Sequence, residues 1–443
     1  MTNKNVLVIA YYFPPSGGPG VQRVLKHVQY LRQFGWNPIV LTVSNGEFPA
    51  RDESLLAHIP DDVTVVRTKI FEPYDMYRFV TGKKKGTSID VNVIKKDDQK
   101  SSFKERFAEW IRATFFIPDA RIGWRFTAIK RGLELIKEYN IQAIYSSSPP
   151  YTCSIIARTL KKKTGIRWVA GFRDPWTGFI SSPKRWFLPS AIDRHLEFST
   201  FNDADAVECA WEGIIKDALE KYPVLDSSKF VHVPNGYDSA DFPSNISNDP
   251  TEKFTVTYTG SLYGRRNPKS LFDALEILFA KGTIKPSQCI FRFIGRFGTE
   301  VEEMFSEVSF KESLEIYGYM SHEKSIEYLF KSDVLLLIVD ESKESAEIVP
   351  GKVYEYLGVM KPILAIAPHE GAIASLIRQT GAGDIAHQTE VQRLVEIIEE
   401  YYELWQKGTL SQKAGKREVI QQYERKESTK KLATLLTSQE NQL

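Results

Sequence analysis

The sequence predicts an α/β protein of two units, each built on a largely parallel sheet. Three observations carry this. Short apolar runs alternate with helical periods from the start of the chain, the alternation begins again near residue 254, and a turn-rich, polar stretch separates the two series. With 443 residues, 42% hydrophobic and 26% charged, the chain is long enough for two domains that each bury a core.

The first series comprises Val6 to Ala10, a helix near Val21 to Phe34, then Pro38 to Val43, Val63 to Arg67, Ala143 to Ser146 and Trp168 to Gly171. The second runs through Phe254 to Thr259, Phe291 to Gly295, Leu314 to Tyr317, Val334 to Val339 and Ile363 to Ala367, with helices between. Val233-Pro-Asn-Gly-Tyr-Asp-Ser-Ala-Asp-Phe242 and the polar residues up to Lys253 form the junction. The expected domains are 1–236 and 237–424. Open sheets of this kind bind ligands at the carboxyl ends of their strands, so the loops there are where function is sought.

Composition excludes several classes. A net charge of +2 gives no global field for nucleic acid. Cys153, Cys209 and Cys289 are odd in number and lie outside any Cys-x-x-Cys pattern, which argues against disulfides and structural zinc. The seven histidines form no metal-ligand spacing, so neither a metal nor a cofactor is expected. Val6 to Ala10 is too short for a signal-peptide core, and no apolar run approaches the roughly 20 residues that cross a bilayer. The expected location is the cytoplasm, with contact at the inner face of the membrane left open.

The most telling motif is Glu347-Ile-Val-Pro-Gly-Lys-Val-Tyr-Glu355, followed by Lys361-Pro-Ile-Leu-Ala. Pro350 suits a first helical turn and Gly351 admits close backbone approach. The free amides of that helix start, with Lys352 beside them, would attract a pyrophosphate. Glu355, about one turn deeper, has two oxygens to accept both hydroxyls of a ribose, while Glu347 would face the hydroxyls of a sugar. An exposed acidic loop before an ordinary amphipathic helix fits the spacing equally well.

Glu-x7-Glu ahead of Lys-Pro-Ile-Leu-Ala resembles the signature of the retaining GT-B-fold glycosyltransferases of family four. The resemblance implies two Rossmann-like domains facing across a cleft, the acceptor on the first and a nucleotide-sugar donor on the second. It implies that Glu347 contacts the donor sugar and Glu355 the nucleotide ribose, and that the last helix, around Ser411 to Leu436, crosses back so that 425–443 packs on the first domain. Ile348, Val349 and Pro350 stand where the family has Gly-Phe-Gly. The implied activity is transfer of a hexose-like sugar with retention and without a metal, in surface polysaccharide or glycolipid assembly. A GT-B-fold sugar-nucleotide epimerase and a silent sugar-nucleotide-binding protein are the alternatives.

Thr259-Gly-Ser-Leu-Tyr-Gly-Arg-Arg-Asn-Pro-Lys269 joins a strand to a helix over Ser270 to Phe279. Gly260 permits a tight loop, and Arg265, Arg266 and Lys269 would stabilise charge building on a departing diphosphate. A solvated basic turn is the plain alternative. The segment resembles the family's phosphate-holding Gly-Arg…Lys loop, with Ser261 directly after the Gly; Arg266, or else Arg265, takes the Arg role and Lys269 the Lys role. Gly295 and Tyr319, on the next two strand-end loops, are expected walls of the nucleotide site, Tyr319 being open also to simple packing.

In the first half, Pro14-Pro-Ser-Gly-Gly-Pro-Gly20 opens the first helix, and Gly17, Gly18 and Gly20 free amides for a phosphate or a sugar. Gly18-x-Gly20 also suggests a dinucleotide fingerprint, in which Arg23 stands in place of the third Gly and Glu47, a little after the second strand, would be the acidic residue. The loop resembles the family's glycine-rich loop near donor phosphates and acceptor. In Gly171-Phe-Arg-Asp-Pro-Trp176 an acid, a cation and an aromatic gather at a strand end: Arg173 and Trp176 would bind the acceptor and Asp174 position or deprotonate its hydroxyl. Turn chemistry alone also explains Asp before Pro. Phe103, Phe107, Trp110, Ile111 and Phe115 form an aromatic stripe beside Lys104, Arg106 and Arg112. It is expected to pack on its own domain, with an anionic membrane as the other partner; acceptors in the family are often lipid-linked.

Overall fold

The computed structural model describes residues 4–48, 50–71, 110–111, 113–178, 185–243, 251–340 and 349–437. Contacts divide the chain into two compact units, Met1–Asn235 with Arg425–Leu443, and Gly236–Glu424.

In the first unit the strands are β1 Lys4–Ala10, β2 Trp36–Val43, β3 Thr64–Thr68, β4 Ile141–Ser148, β5 Arg167–Phe172, β6 Ala206–Cys209 and β7 Phe230–His232. They pair in the order β3-β2-β1-β4-β5-β6-β7, every pair parallel. The helices are α1 Pro19–Tyr30, α2 Arg125–Glu138, α3 Thr152–Thr164, α4 Phe187–Asp203 and α5 Glu212–Lys221. Strand residues alternate between two apolar layers: Leu7, Ile9, Ile39 and Ile144 face one, while Val6, Val8, Val40 and Ala143 face the other. Each fully buried aliphatic side chain contributes about 1.5–3 kcal/mol relative to exposure, so sliding β1 by one residue would invert both layers at a cost no local contact offsets.

The second unit repeats the plan with β8 Phe254–Thr259, β9 Cys289–Ile294, β10 Leu314–Tyr317, β11 Val334–Ile338, β12 Ile363–Ile366 and β13 Gly383–Ala386. Its order is β10-β9-β8-β11-β12-β13, again parallel. Helices α6 Lys269–Lys281, α7 Thr299–Glu307, α8 His322–Phe330, α9 Gly351–Val359, α10 Ala372–Thr380 and α11 Val391–Gln406 cover it. Gly282 and Gly381, both left-handed, terminate α6 and α10. No helix among the described residues is long and apolar enough to cross a membrane.

Two details differ from expectation. The strands β6, β7 and β13 were not anticipated. The expected single helix over Ser411 to Leu436 is broken: Gly415 has φ of +89° and Glu424 is extended, so only α12, Arg425–Leu436, is a full helix. It belongs to the first unit, where Leu432, Ala433 and Leu436 join the layer of Val6 and Val8.

Candidate functional site

In each sheet the winding direction reverses once, between β8 and β11 in the second unit and between β1 and β4 in the first. Loops leaving those strands diverge and open a crevice at their carboxyl ends.

At the reversal in the second unit, α9 is fastened across the end of β8. Tyr356 Oη accepts from the Thr259 amide at 3.0 Å, and Lys352 Nζ donates to the Thr259 carbonyl at 2.9 Å. The Lys352 ammonium also lies 3.9 Å from the centroid of the Tyr258 ring. Helix α9 starts at Gly351 after Pro350, with no side chain capping its amides and open space above Gly351. Gly260, at φ +123°, and Gly295, at φ +152°, meet directly: a Cβ on Gly295 would overlap the Gly260 carbonyl. That close approach requires glycine at 295, and the positive φ favours it at 260.

Arg266 reaches toward the same place. Its Nη2 is 3.8 Å from Asp340 Oδ2, on the loop after β11, and its Nε is buried without a hydrogen-bond partner. Withdrawal from water, and then the nearby Arg266 charge, push the Lys352 ammonium down to about 7; Glu355 opposes them only in part. Among the described residues, two basic groups thus share a site with little negative charge to offset them. Glu355 sits one turn deeper and its Oε1 is 2.8 Å from His322 Nε2, on α8. Lys269 turns away, ion-paired to Asp273 at 3.0 Å on its own helix, and Arg265 is exposed. Tyr319 is 74% exposed with Arg296 stacked on its ring at 5.0 Å. Glu347 lies outside the described residues.

At the reversal in the first unit, Gly18 has φ of +100° and caps α1, and Gly17 donates its amide to the Ala50 carbonyl. A Cβ on Gly20 would overlap the Arg173 guanidinium, so the glycine is what lets Arg173 lie on the start of α1. Arg173 donates to the Pro149 carbonyl at 2.5 Å, while its Nε has no partner. Burial raises the Asp174 carboxyl above its ordinary range, with Arg173 opposing. Trp176, at 2% exposure, is core: its Nε1 donates to Asp193 at 2.8 Å and its ring stacks on Tyr151 at 4.6 Å. No face of that ring is left for a sugar, which corrects the expectation for Trp176. Asp119 accepts from the Thr152 amide and hydroxyl, and Arg121 lies over the Tyr11 ring at 5.1 Å.

Of the aromatic stripe, Trp110 and Phe115 are exposed and Ile111 is half-buried, whereas the adjoining Ala113 and Phe116 are buried; Phe103, Phe107, Lys104, Arg106 and Arg112 lie outside the described residues. Arg185 holds this segment against α4 by donating to the carbonyls of Ala113, Phe116 and Pro118. Trp186, Phe187, Leu188 and Ile192 on that neighbouring stretch are exposed as well, Phe187 at 84%.

Sequence comparison fits this layout. Glycosyltransferase Family 4 matches residues 84–241, and Glycosyl transferases group 1 matches residues 240–438. The chain belongs with the family 4, group 1 glycosyltransferases. Among solved structures, HepE of Anabaena, in complex with UDP-glucose, aligns with a TM-score of 0.56 at 13% identity over 98% of this chain and 99% of its own. WaaG, a glycosyltransferase involved in lipopolysaccharide biosynthesis, gives 0.55 at 14% over 98% and 100%. A protein described as a putative UDP-N-acetylglucosamine 2-epimerase from Listeria monocytogenes gives 0.56 at 12% over 100% and 98%. These likenesses establish the GT-B type of fold. No curated protein matches the sequence.

This glycosyltransferase also contains a buried ionic network that sequence reading missed. Arg23 Nη2 pairs with Glu208 Oε1 at 2.6 Å, and Tyr145 donates to Glu208 Oε2 at 2.7 Å. Arg23 further donates to Val233 O, Pro234 O and Asn235 Oδ1, and His27 Nδ1 is 2.9 Å from Thr429 Oγ1 on α12. The signal was present. Arg23 and His27 fall among the buried face of an amphipathic helix, and Glu208 interrupts the apolar run Ala206-Val-Glu-Cys-Ala210.

Proposed function

We propose that this glycosyltransferase moves a sugar from a nucleotide-sugar donor to a hydroxyl acceptor with retention of configuration and without a metal. The observation that carries the reading is the pairing of Arg266 and Lys352 at the β8/β11 reversal, with Glu355 one turn deeper on α9. Two under-neutralised cations match a diphosphate, and a carboxylate at that remove matches a ribose diol. That HepE was solved with UDP-glucose supports a donor of this class.

In the proposed step the bond from the anomeric carbon to the diphosphate oxygen breaks as the acceptor oxygen bonds to the same face of that carbon. The acceptor proton passes to the departing diphosphate, and Asp174 is assigned to positioning the acceptor hydroxyl. Arg266 and Lys352 hold the diphosphate and take up the charge that develops on the leaving oxygen, which lowers the barrier. Glu347 orients the sugar. Arg173 and the Gly17 to Gly20 loop arrange the acceptor side.

The reading extends to surface polysaccharide or glycolipid assembly on the cytoplasmic face of a membrane. Its support is the exposed set Trp110, Phe115, Trp186, Phe187 and Leu188, of the amphipathic kind that enters the headgroup region of a bilayer.

The test is kinetic, with UDP-, GDP- and ADP-sugars as donors and product analysis. Glu355→Ala should weaken nucleotide binding, whereas Arg266→Ala should lower kcat by about 10²-fold. Equal and negligible effects of the two substitutions would defeat the assignment. A new sugar nucleotide formed without any acceptor would establish the epimerase alternative.

A further inference from the structure

We propose that Lys352 takes up a proton from solvent when a nucleoside diphosphate binds, so that the second cation of the diphosphate site is completed by the ligand itself. The inference rests on the donor-site reading above and adds a proton to its stoichiometry.

The geometry around Lys352 discourages a permanent charge. Among the described residues the Lys352 ammonium has one hydrogen-bond acceptor, the Thr259 carbonyl. The flat face of Tyr258 covers it on the β8 side, and Arg266 approaches from the loop after β8. Among the described residues the carboxylates nearby are already engaged. Glu355, on the same helix, is hydrogen-bonded to His322 of α8, and Asp340, after β11, faces Arg266. Tyr356 directs its hydroxyl to Thr259 rather than to Lys352. An ammonium in these surroundings is held down to about 7 by lost hydration and by Arg266.

A diphosphate changes both terms. Its oxygens supply the missing acceptors and offset the charge of Arg266, so the protonated amine becomes the favoured form. Near pH 8 most of the empty sites would hold a neutral amine and nearly all filled sites an ammonium. Binding at that pH would therefore absorb about 0.9 proton, and affinity would fall about fivefold from pH 7 to pH 8. Lys269, exposed and paired with Asp273, has no comparable reason to change its charge.

The experiment is titration calorimetry of the full chain with UDP, GDP and ADP at pH 8, in buffers of different ionisation enthalpy. The dependence of the observed heat on the buffer counts protons directly. The expected result is uptake close to one proton per bound diphosphate at pH 8, falling to about half a proton at pH 7, where the nucleotide itself is still ionised. Lys352→Arg should still bind, with no uptake and no loss of affinity between pH 7 and 8; Lys352→Met should bind more weakly, also without uptake. Binding by the unaltered protein with no proton uptake overturns this inference and leaves the donor site standing. Uptake that persists in Lys352→Arg overturns it too, because the proton then resides elsewhere. If no nucleoside diphosphate binds, the donor-site reading falls and this inference falls with it.

Discussion

Glu208→Gln should lower the stability of the first unit by about 3 kcal/mol. Burial alone would raise the Glu208 carboxyl, but Arg23 at 2.6 Å, with His27 and Tyr145, holds it at about 2 against an ordinary 4.5. That gap corresponds to about 3 kcal/mol at neutral pH. The sign follows from the depression: the contribution is complete above about pH 4.5 and is lost as pH falls toward 2. Glutamine keeps an acceptor for Tyr145 but leaves the buried Arg23 guanidinium without its counter-charge. For a unit of this size the expected drop in melting temperature is about 6–12 °C. Tryptophan fluorescence is a suitable probe, because Trp405 alone of the eight tryptophans falls in the second unit. The difference between the two proteins should be constant from pH 6 to 8 and narrow below pH 4.5. A variant that melts within about 2 °C of the unaltered protein at pH 7 would refute the argument that this network holds the first unit together.

Gly295→Ala should be poorly tolerated, losing several kcal/mol, since the new methyl meets the Gly260 carbonyl at a backbone angle reserved for glycine; a near-normal melting curve would contradict this. Gly20→Ala should differ in kind, because the obstructing group is the movable end of Arg173: melting should change little while turnover falls, as a paired melting and rate measurement would reveal. Lys352→Met should raise the melting temperature at pH 6, where the unaltered side chain is charged against its surroundings. The gain should shrink toward pH 10, since the penalty is full below about 7 and relieved as pH approaches 10.5; equal melting at pH 6 would count against it.

Long apolar runs were legible as strands because a doubly covered parallel sheet demands them, and β8 and β10 have the expected ends. The strands that escaped notice have reasons of their own. β7 has three residues, β13 is mostly half-exposed, and β6 carries Glu208 in its interior. Positions of the loops at strand ends were likewise readable from glycine and charge. Which way each cation points was not. Lys269 finds Asp273 four residues on and stays on the helix surface, while Lys352 folds under Arg266 to the end of β8. That choice is made by tertiary contacts with Tyr258 and Thr259, 93 residues away along the chain in the latter case. Trp176 shows the converse: an aromatic beside Arg173 and Asp174 suggested a sugar platform, yet Asp193 and Tyr151 draw it into the core.

Helix α12 supplies part of the first unit's core from the far end of the chain, after all of the second unit has been traversed. On the ribosome, therefore, residues 1–235 emerge without Leu432, Ala433 and Leu436 and without Thr429 for His27, and must wait for the second unit to be synthesised before their apolar layer closes. The newborn first unit has an unfilled groove during that interval, the period in which a chaperone has most to shield. A stop codon placed just ahead of α12 would leave that groove open permanently, damaging the unit made first rather than the one beside the truncation.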